Sequence, residues 1–308
     1  VALPLAIAFA IASGVPPVMG IYTAILAGII GSLFGGSKFS ITGPTGAMTV
    51  IILSIVHNFG LEGLLFAGLL AGIIQIGMGF LKLGQVVKFI PLPIISGFTA
   101  GIGLIIFIGQ IPNALGLLVS PKETAIETLI ELIGHIGGLN LAALGITAGT
   151  LLILFFFPKI AAKNSFLKNV PASLLGLVVF TFATYFFALQ IPQVGNIPQG
   201  FPSLVFPAID FSKTLDILPS AFTIALLGAI EALLCAVVCD GMAGTKHDSD
   251  KELIGQGLAN VAMPFFGAMP ATAAVARSAI NIREGAKTKF AGVIHALILL
   301  LILLFFAP

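Results

Sequence analysis

The sequence predicts an all-α polytopic membrane protein, and three observations carry the prediction. Hydrophobic residues make up 58% of the 308 positions and charged residues only 8%, with a mean hydropathy of +1.16, whereas a soluble domain carries about 25% charged residues. Apolar runs of about 20 residues, enough to cross roughly 30 Å of hydrocarbon, recur along the whole chain. Lysine and arginine fall almost entirely in alternate connections between those runs, the signature of fixed membrane orientation.

In order, the apolar spans are read at 1–13, 15–34, 44–57, 61–81, 89–118, 139–157, 170–191, 217–239, 253–267, 274–283 and 290–307, about eleven in all. The third and tenth are too short to cross as helices. Between the fifth and sixth lies PKETAIETLIELIGH, whose Glu123, Glu127 and Glu131 stand four apart; it is expected to be an external amphipathic helix at the membrane surface. With the first span running outward, Lys38, Lys82, Lys88, Lys159, Lys163, Lys168, Lys246, Lys251, Arg283, Lys287 and Lys289 share one side and only Lys122 and Lys213 the other. That side is cytoplasmic, and the sorting works only if both short segments count as crossings. Trp is absent, so lysines rather than an aromatic belt are expected to anchor the rim. Val1 opens inside an apolar run and Pro308 closes directly after one, the pattern expected of a piece of a longer protein.

The third span opens with SITGPTGAMT at 40–49. Non-helical backbone at membrane depth is tolerated only where protein or a water-lined cavity surrounds it, because each bare amide costs several kcal/mol. Ser40, Ile41 and Thr42 read as extended, Pro44 suits the first turn of a helix, and the residues after Gly46 run on as a half-helix. Its first amides have no partner in their own helix and, with the helix dipole, suit an anion. AMPATAAVARSAIN, 268–281, repeats the pattern and carries Arg277. The third and tenth spans lie seven crossings apart, as in two inverted halves whose half-helix starts face each other at the midplane; the competing reading is two Pro-kinked structural helices.

Glu231, in GAIEALLCAVV, and Arg277 are the ionisable residues read as deep in the membrane. Such a charge costs at least about 2.5–3.5 kcal/mol and is a functional candidate by default. Pairing between the two, tying their spans together, is the plain structural alternative. A carboxyl in hydrocarbon favours its neutral form, so Glu231 is the candidate proton carrier. His57, at the outer end of the third span, and His295, on an apolar helix, are expected to have no special role. Cys235 and Cys239 lie four apart without further metal-ligand spacing and read as packing residues, so no metal is expected. No nucleophilic triad or phosphate loop appears, no cofactor is implied, and the chain is not read as an enzyme.

VALPLAIAFAIASGVPPVMGIYTAILAGIIGSLFGGSKFSITGPTGAMTV at the start, and the stretch from GAIEALLCAVVCDGMAGTKH through ELIGQGL and ATAAVARSA near the end, resemble the sulfate permease (SulP) family. The second block is most similar to the bacterial C4-dicarboxylate transporters of that family. The resemblance covers essentially the whole chain. It implies an inverted seven-span repeat (7+7) transporter fold with half-helices at spans 3 and 10, here truncated before the last spans and the cytoplasmic STAS domain, in a multi-pass protein of the bacterial inner membrane. It implies a core domain from residues 1–82 (spans 1–4) and 215–308 (spans 8–11), a gate part from 83–214 (spans 5–7), and a homodimer when full length. Carried over by motif, the anion-binding residues are Phe9, Thr45, Gly46, Ala47, Ala276 and Arg277. Leu5 stands where many sulfate-type members carry Gln. In sodium-coupled bicarbonate relatives an Asp with a hydroxyl one turn later stands at Glu231; here Cys235 follows, and a thiol suits sodium poorly. The expected activity is proton symport of a C4-dicarboxylate or sulfate by movement of the core against the gate. Sodium-coupled bicarbonate uptake, a nucleobase permease and an anion channel or exchanger are the alternatives.

Overall fold

The computed structural model describes residues 2–85, 92–117, 119, 122, 124–162, 167, 170–192, 197, 200–206 and 213–306. Lys88, Glu123, Lys163 and Lys168, used above to orient the chain and to define its surface helix, lie outside them. The elements in chain order are α1 (Ala2–Ala12), α2 (Pro17–Phe34), β1 (Thr42–Gly43), α3 (Gly46–Phe80), α4 (Leu92–Leu115), α5 (Ala125–His135), α6 (Leu141–Ala161), α7 (Ala172–Phe186), α8 (Thr214–Ala243), α9 (Ser249–Ala262), β2 (Thr272–Ala273), α10 (Val275–Arg283) and α11 (Phe290–Phe306). Every expected apolar span contains helix. Boundaries differ where prolines and caps act: Asp248 accepts from the Lys251 amide and starts α9 four residues before the expected span, and Pro264 turns the end of that span into a short 3-10 helix, Met263–Phe266.

α3 covers both the third and fourth spans. It is interrupted at Gly60, whose φ of 71° and ψ of −174° lie in a region essentially reserved for glycine. The interruption falls between the two expected spans, so the first part of α3 is the half-helix that the Gly-Pro pattern predicted.

The chain forms two compact units, one of residues 103–195 and one of residues 2–102 with 196–308. In the first, α6 packs on α7, and Asn140 caps α6 by accepting from the amides of Ala142 and Ala143. On α5 the side chains of Ile126, Ile130 and Ile133 are exposed while Thr128 and Leu132 are buried, and Lys122 pairs with Glu131 at 2.7 Å. The stretch is amphipathic, as its spacing predicts.

In the second unit α3 lies against α8 and α9, α2 against α1, α9 and α11, and α10 against α8. Met48, Ile52, Leu64, Ala67 and Ala71 of α3 meet Ile217, Ala221, Ile224 and Ala225 of α8 in one apolar core. Small residues let these helices approach closely where lipid supplies no hydrophobic drive for their association. A Cβ on Gly72 of α3 would lie 2.7 Å from the Gly257 carbonyl of α9, so the two backbones themselves are in contact.

Candidate functional site

The two broken segments meet inside the larger unit. β1 pairs antiparallel with β2, Thr42 opposite Ala273 and Gly43 opposite Thr272, and the Ala274 amide extends the pairing to the Ile41 carbonyl at 3.1 Å. Mutual pairing satisfies backbone groups that neither segment could satisfy alone, which is why the interruptions occur as a pair. Each strand then runs directly into a helix. β1 passes through Pro44 and Thr45 into α3, and β2 passes through Ala274 into α10. Neither Thr45 nor Ala274 caps its helix with a side-chain hydrogen bond, so the first amides of both helices keep their donors for another acceptor.

Arg277, in the first turn of α10, reaches across to the opposite segment. Its side chain is buried, at 4% exposure, and its Nη2 donates to the Pro44 carbonyl at 2.8 Å. Among the described residues, Nε and Nη1 have no hydrogen-bond partner. The guanidinium lies over Gly43 so closely that a Cβ there would stand 2.7 Å from Nη1. Gly43 is therefore part of the site through its lack of a side chain, a role that the Gly-Pro pattern alone does not reveal.

Glu231, half-buried on α8, accepts a hydrogen bond through Oε2 from the Thr45 hydroxyl at 2.8 Å. Among the described residues no ion pair within 4.0 Å joins it to Arg277. The direct pairing weighed as the plain alternative is thus replaced by two separate attachments to the Gly43–Thr45 turn, a carboxylate on one side and a guanidinium on the other.

Of the other candidate residues, Gly46 is buried and Ala47 half-buried at the start of α3, Ala276 is exposed beside Arg277, and Phe9 is half-buried on α1. His57 is exposed and His295 half-buried. Cys239 packs in an apolar cluster with Phe39, Ala232, Cys235 and Ala273. Cys235 also donates from Sγ to the Ser278 hydroxyl at 3.2 Å.

A further ionisable residue, Glu252, just ahead of the ninth expected span, is fully buried within the protein. It opens a polar stripe along α9, Glu252, Gln256 and Asn260, all at 0% exposure. Glu252 accepts from the Ser37 amide at 2.8 Å and from Gln256 Nε2 at 3.2 Å, and Gln256 also donates to Thr42 of β1 at 2.9 Å. Asn260 Nδ2 donates to Gln75 at 2.8 Å and to the Ala271 carbonyl at 3.0 Å, and its Oδ1 accepts from the Ala271 amide at 2.7 Å. Thr272 of β2 donates to the Gly228 carbonyl of α8 at 2.8 Å. This scaffold fixes both strands. Its signal in the sequence is the four-residue spacing of three polar side chains on one face of an apolar helix.

The fold and the site define an all-α polytopic membrane protein with two interrupted helices paired in its interior. Residues 1–308 match the sequence profile of the sulfate permease family. The chain belongs to that family. It is 46% identical over 314 residues to the putative sulfate transporter YvdB of Bacillus subtilis, covering 100% of this chain and 58% of that protein. It is 36% identical over 317 residues to the bicarbonate transporter BicA of a Picosynechococcus species, covering 99% of this chain and 55% of the relative. The chain thus spans little more than half the length of these curated relatives. The solved transmembrane domain of a cyanobacterial BicA superposes with a TM-score of 0.88 at 33% identity, over 99% of this chain and 80% of that one.

Proposed function

We propose that the full-length protein is a secondary active transporter of a small anion, sulfate or a C4-dicarboxylate, coupled to a proton. The observation that carries this reading is the buried guanidinium of Arg277, with Nε and Nη1 unpartnered, beside two helix starts without side-chain caps. Unpaired buried donors on a cation are costly in isolation and suit an oxyanion, which offers the guanidinium fork two acceptors at once. The helix starts add partial positive charge and free amides at Gly46 and Ala47. Phe9 and Ala276 are assigned to the walls of the same site.

Glu231 is assigned the proton. An anion held by Arg277 adds negative charge near a carboxylate, and protonation of Glu231 removes that repulsion. The loaded core then comes closer to neutrality, which lowers the barrier to carrying it through hydrocarbon. In this reading the core, 1–82 with 215–308, moves against the gate part, 83–214, and the protein works as a homodimer in the bacterial inner membrane.

The 46% identical relative named as a sulfate transporter favours sulfate; the likeness of the second sequence block to C4-dicarboxylate members keeps dicarboxylates in the same class. Sodium-coupled bicarbonate uptake is the second reading, favoured by the BicA matches. Against sodium, Cys235 stands one turn beyond Glu231 and offers sulfur, bonded to Ser278, to a cation that prefers oxygen.

The test is uptake of labelled sulfate, succinate and bicarbonate by the full-length protein in proteoliposomes, under an imposed proton or sodium gradient. Proton-driven accumulation of sulfate or succinate that is lost in Glu231→Gln is the expected result. Uptake that follows sodium, or a Glu231→Gln variant that still concentrates anion on a proton gradient, overturns the coupling role.

A further inference from the structure

We infer that the Thr45 hydroxyl is a hydrogen-bond switch through which protonation of Glu231 strengthens anion binding at the start of α3. The inference rests on the proton-coupling reading of Glu231 and assigns its transmission to one side chain.

Thr45 occupies the N-cap position of α3 with extended backbone, φ −133° and ψ 155°. A threonine there ordinarily accepts from an amide of the first helical turn. This one makes no such bond and donates instead to Glu231 Oε2 at 2.8 Å. Accepting at the oxygen and donating the proton are separate capacities of a hydroxyl, and it is the use of the proton that depends on Glu231. An ionised carboxylate can only accept, so the hydroxyl commits its single proton to it. A protonated carboxyl carries its own donor and can give it to the Thr45 oxygen. The threonine proton is then released, 2.8 Å from where it was held, on a residue adjoining the free amides of Gly46 and Ala47. An anion at those amides gains one more donor in the protonated state than in the ionised state.

The groups that face Glu231 come from each element packed against it. The elements packed on α8 are α3, α9, α10 and β2. From α10 the charge facing Glu231 is Arg277; from α3 the facing group is the uncharged Thr45; α9 turns its buried Glu252 to Ser37 and Gln256; β2 brings Thr272, bonded to Gly228. On α8 itself Cys235 is bonded to Ser278. Thr45 is a positioning residue in this scheme, acting on the anion according to the state of Glu231.

The experiment is equilibrium binding of labelled sulfate, and separately succinate, to the purified full-length protein at the acid and alkaline ends of its pH profile. Wild type, Thr45→Val, Thr45→Ser and Glu231→Gln are compared. Thr45→Val is expected to weaken binding about tenfold or more at the acid end, the loss of one hydrogen bond to a charged group, and to change it little at the alkaline end. Its pH dependence is therefore flatter than that of wild type, and Thr45→Ser restores the wild-type profile. Equal weakening of Thr45→Val at both ends is the mark of a merely structural cap and overturns the inference. So does a wild-type pH slope in Thr45→Val that Glu231→Gln abolishes, an outcome that leaves proton coupling standing. A wild-type affinity that does not vary with pH removes the coupling reading and the switch together.

Discussion

The starts of α3 and α10 face the same problem, a helix beginning inside a membrane protein, and they are held by different chemistry. α10 is fixed largely by main chain and by a compact polar knot: the Ala274 amide donates to Ile41, the Ile41 amide donates to the Ser278 hydroxyl, and that hydroxyl donates to the Ala274 carbonyl. None of these groups changes charge. α3 is held by partners from two other helices, Glu231 through Thr45 and Arg277 through the Pro44 carbonyl. A helix start with a carboxylate among its side-chain anchors can respond to that carboxylate's protonation; one anchored by amides and a serine does not. Under the proposed proton coupling, the adjustable part of the site lies at α3 and the rigid part at α10.

The sharpest way to break this comparison is to remove the charge that joins the two starts. Arg277→Gln is expected to reduce anion affinity by about a hundredfold or more, as the loss of charge-assisted bonds with their electrostatic field implies, and Arg277→Lys is expected to recover little because an ammonium cannot bond Pro44 and an oxyanion with the same planar fork. Titration of labelled anion binding checks both. Gly43→Ala tests the fit of that fork. A methyl group 2.7 Å from Nη1 must push the guanidinium aside, so affinity is expected to fall about tenfold while circular dichroism shows helix content unchanged.

Smaller effects sharpen the distinction between the site and its scaffold. Asn260→Ala strands the backbone amide and carbonyl of Ala271 and the side-chain oxygen Oε1 of Gln75. Buried groups left unsatisfied cost about 1–3 kcal/mol each, so a lowered melting temperature is expected, with less effect on the proton dependence of transport than Glu231→Gln. Asp248 gives the smallest change. Its carboxylate caps α9 by accepting from the Lys251 amide, and this bond, with the nearby Lys251 ammonium, holds its pKa below the ordinary carboxylate value. A depressed folded-state pKa contributes stability that is present above the unfolded value and lost as pH falls through the folded one. Asp248→Ala is expected to cost about 1 kcal/mol of stability near neutral pH and less in acid, as thermal melts across that range can measure.

Much of the fold was legible before any coordinates, because membrane helices announce themselves by length and polarity. All the expected spans contain helix, and the interruptions fall at SITGPTGAM and AMPATAAVA, where proline and small residues break an apolar run. Glu231 and Arg277 could be singled out as candidates as well, for a charge in hydrocarbon has few unremarkable explanations, while Thr45 was singled out only through the family resemblance. Glu252, Gln256, Asn260 and Gln75 were less visible. Their side chains are satisfied by partners as far as 215 residues away in sequence, and the four-residue spacing that puts three of them on one helix face does not say which partners they will find.

The sequence by itself determined that this is an all-α membrane protein, where its helices break, and which residues carry charge at those breaks. Local backbone chemistry and the cost of bare polar groups in hydrocarbon are sufficient for that. Only the tertiary structure decided that β1 pairs with β2, that Arg277 spends one donor on Pro44 and keeps two, and that Glu231 bonds to Thr45 instead of pairing with the guanidinium. Those outcomes depend on distances of 2.8 Å between groups nearly two hundred residues or more apart, and a hydrogen bond distinguishes between neighbours that a sequence pattern leaves equivalent.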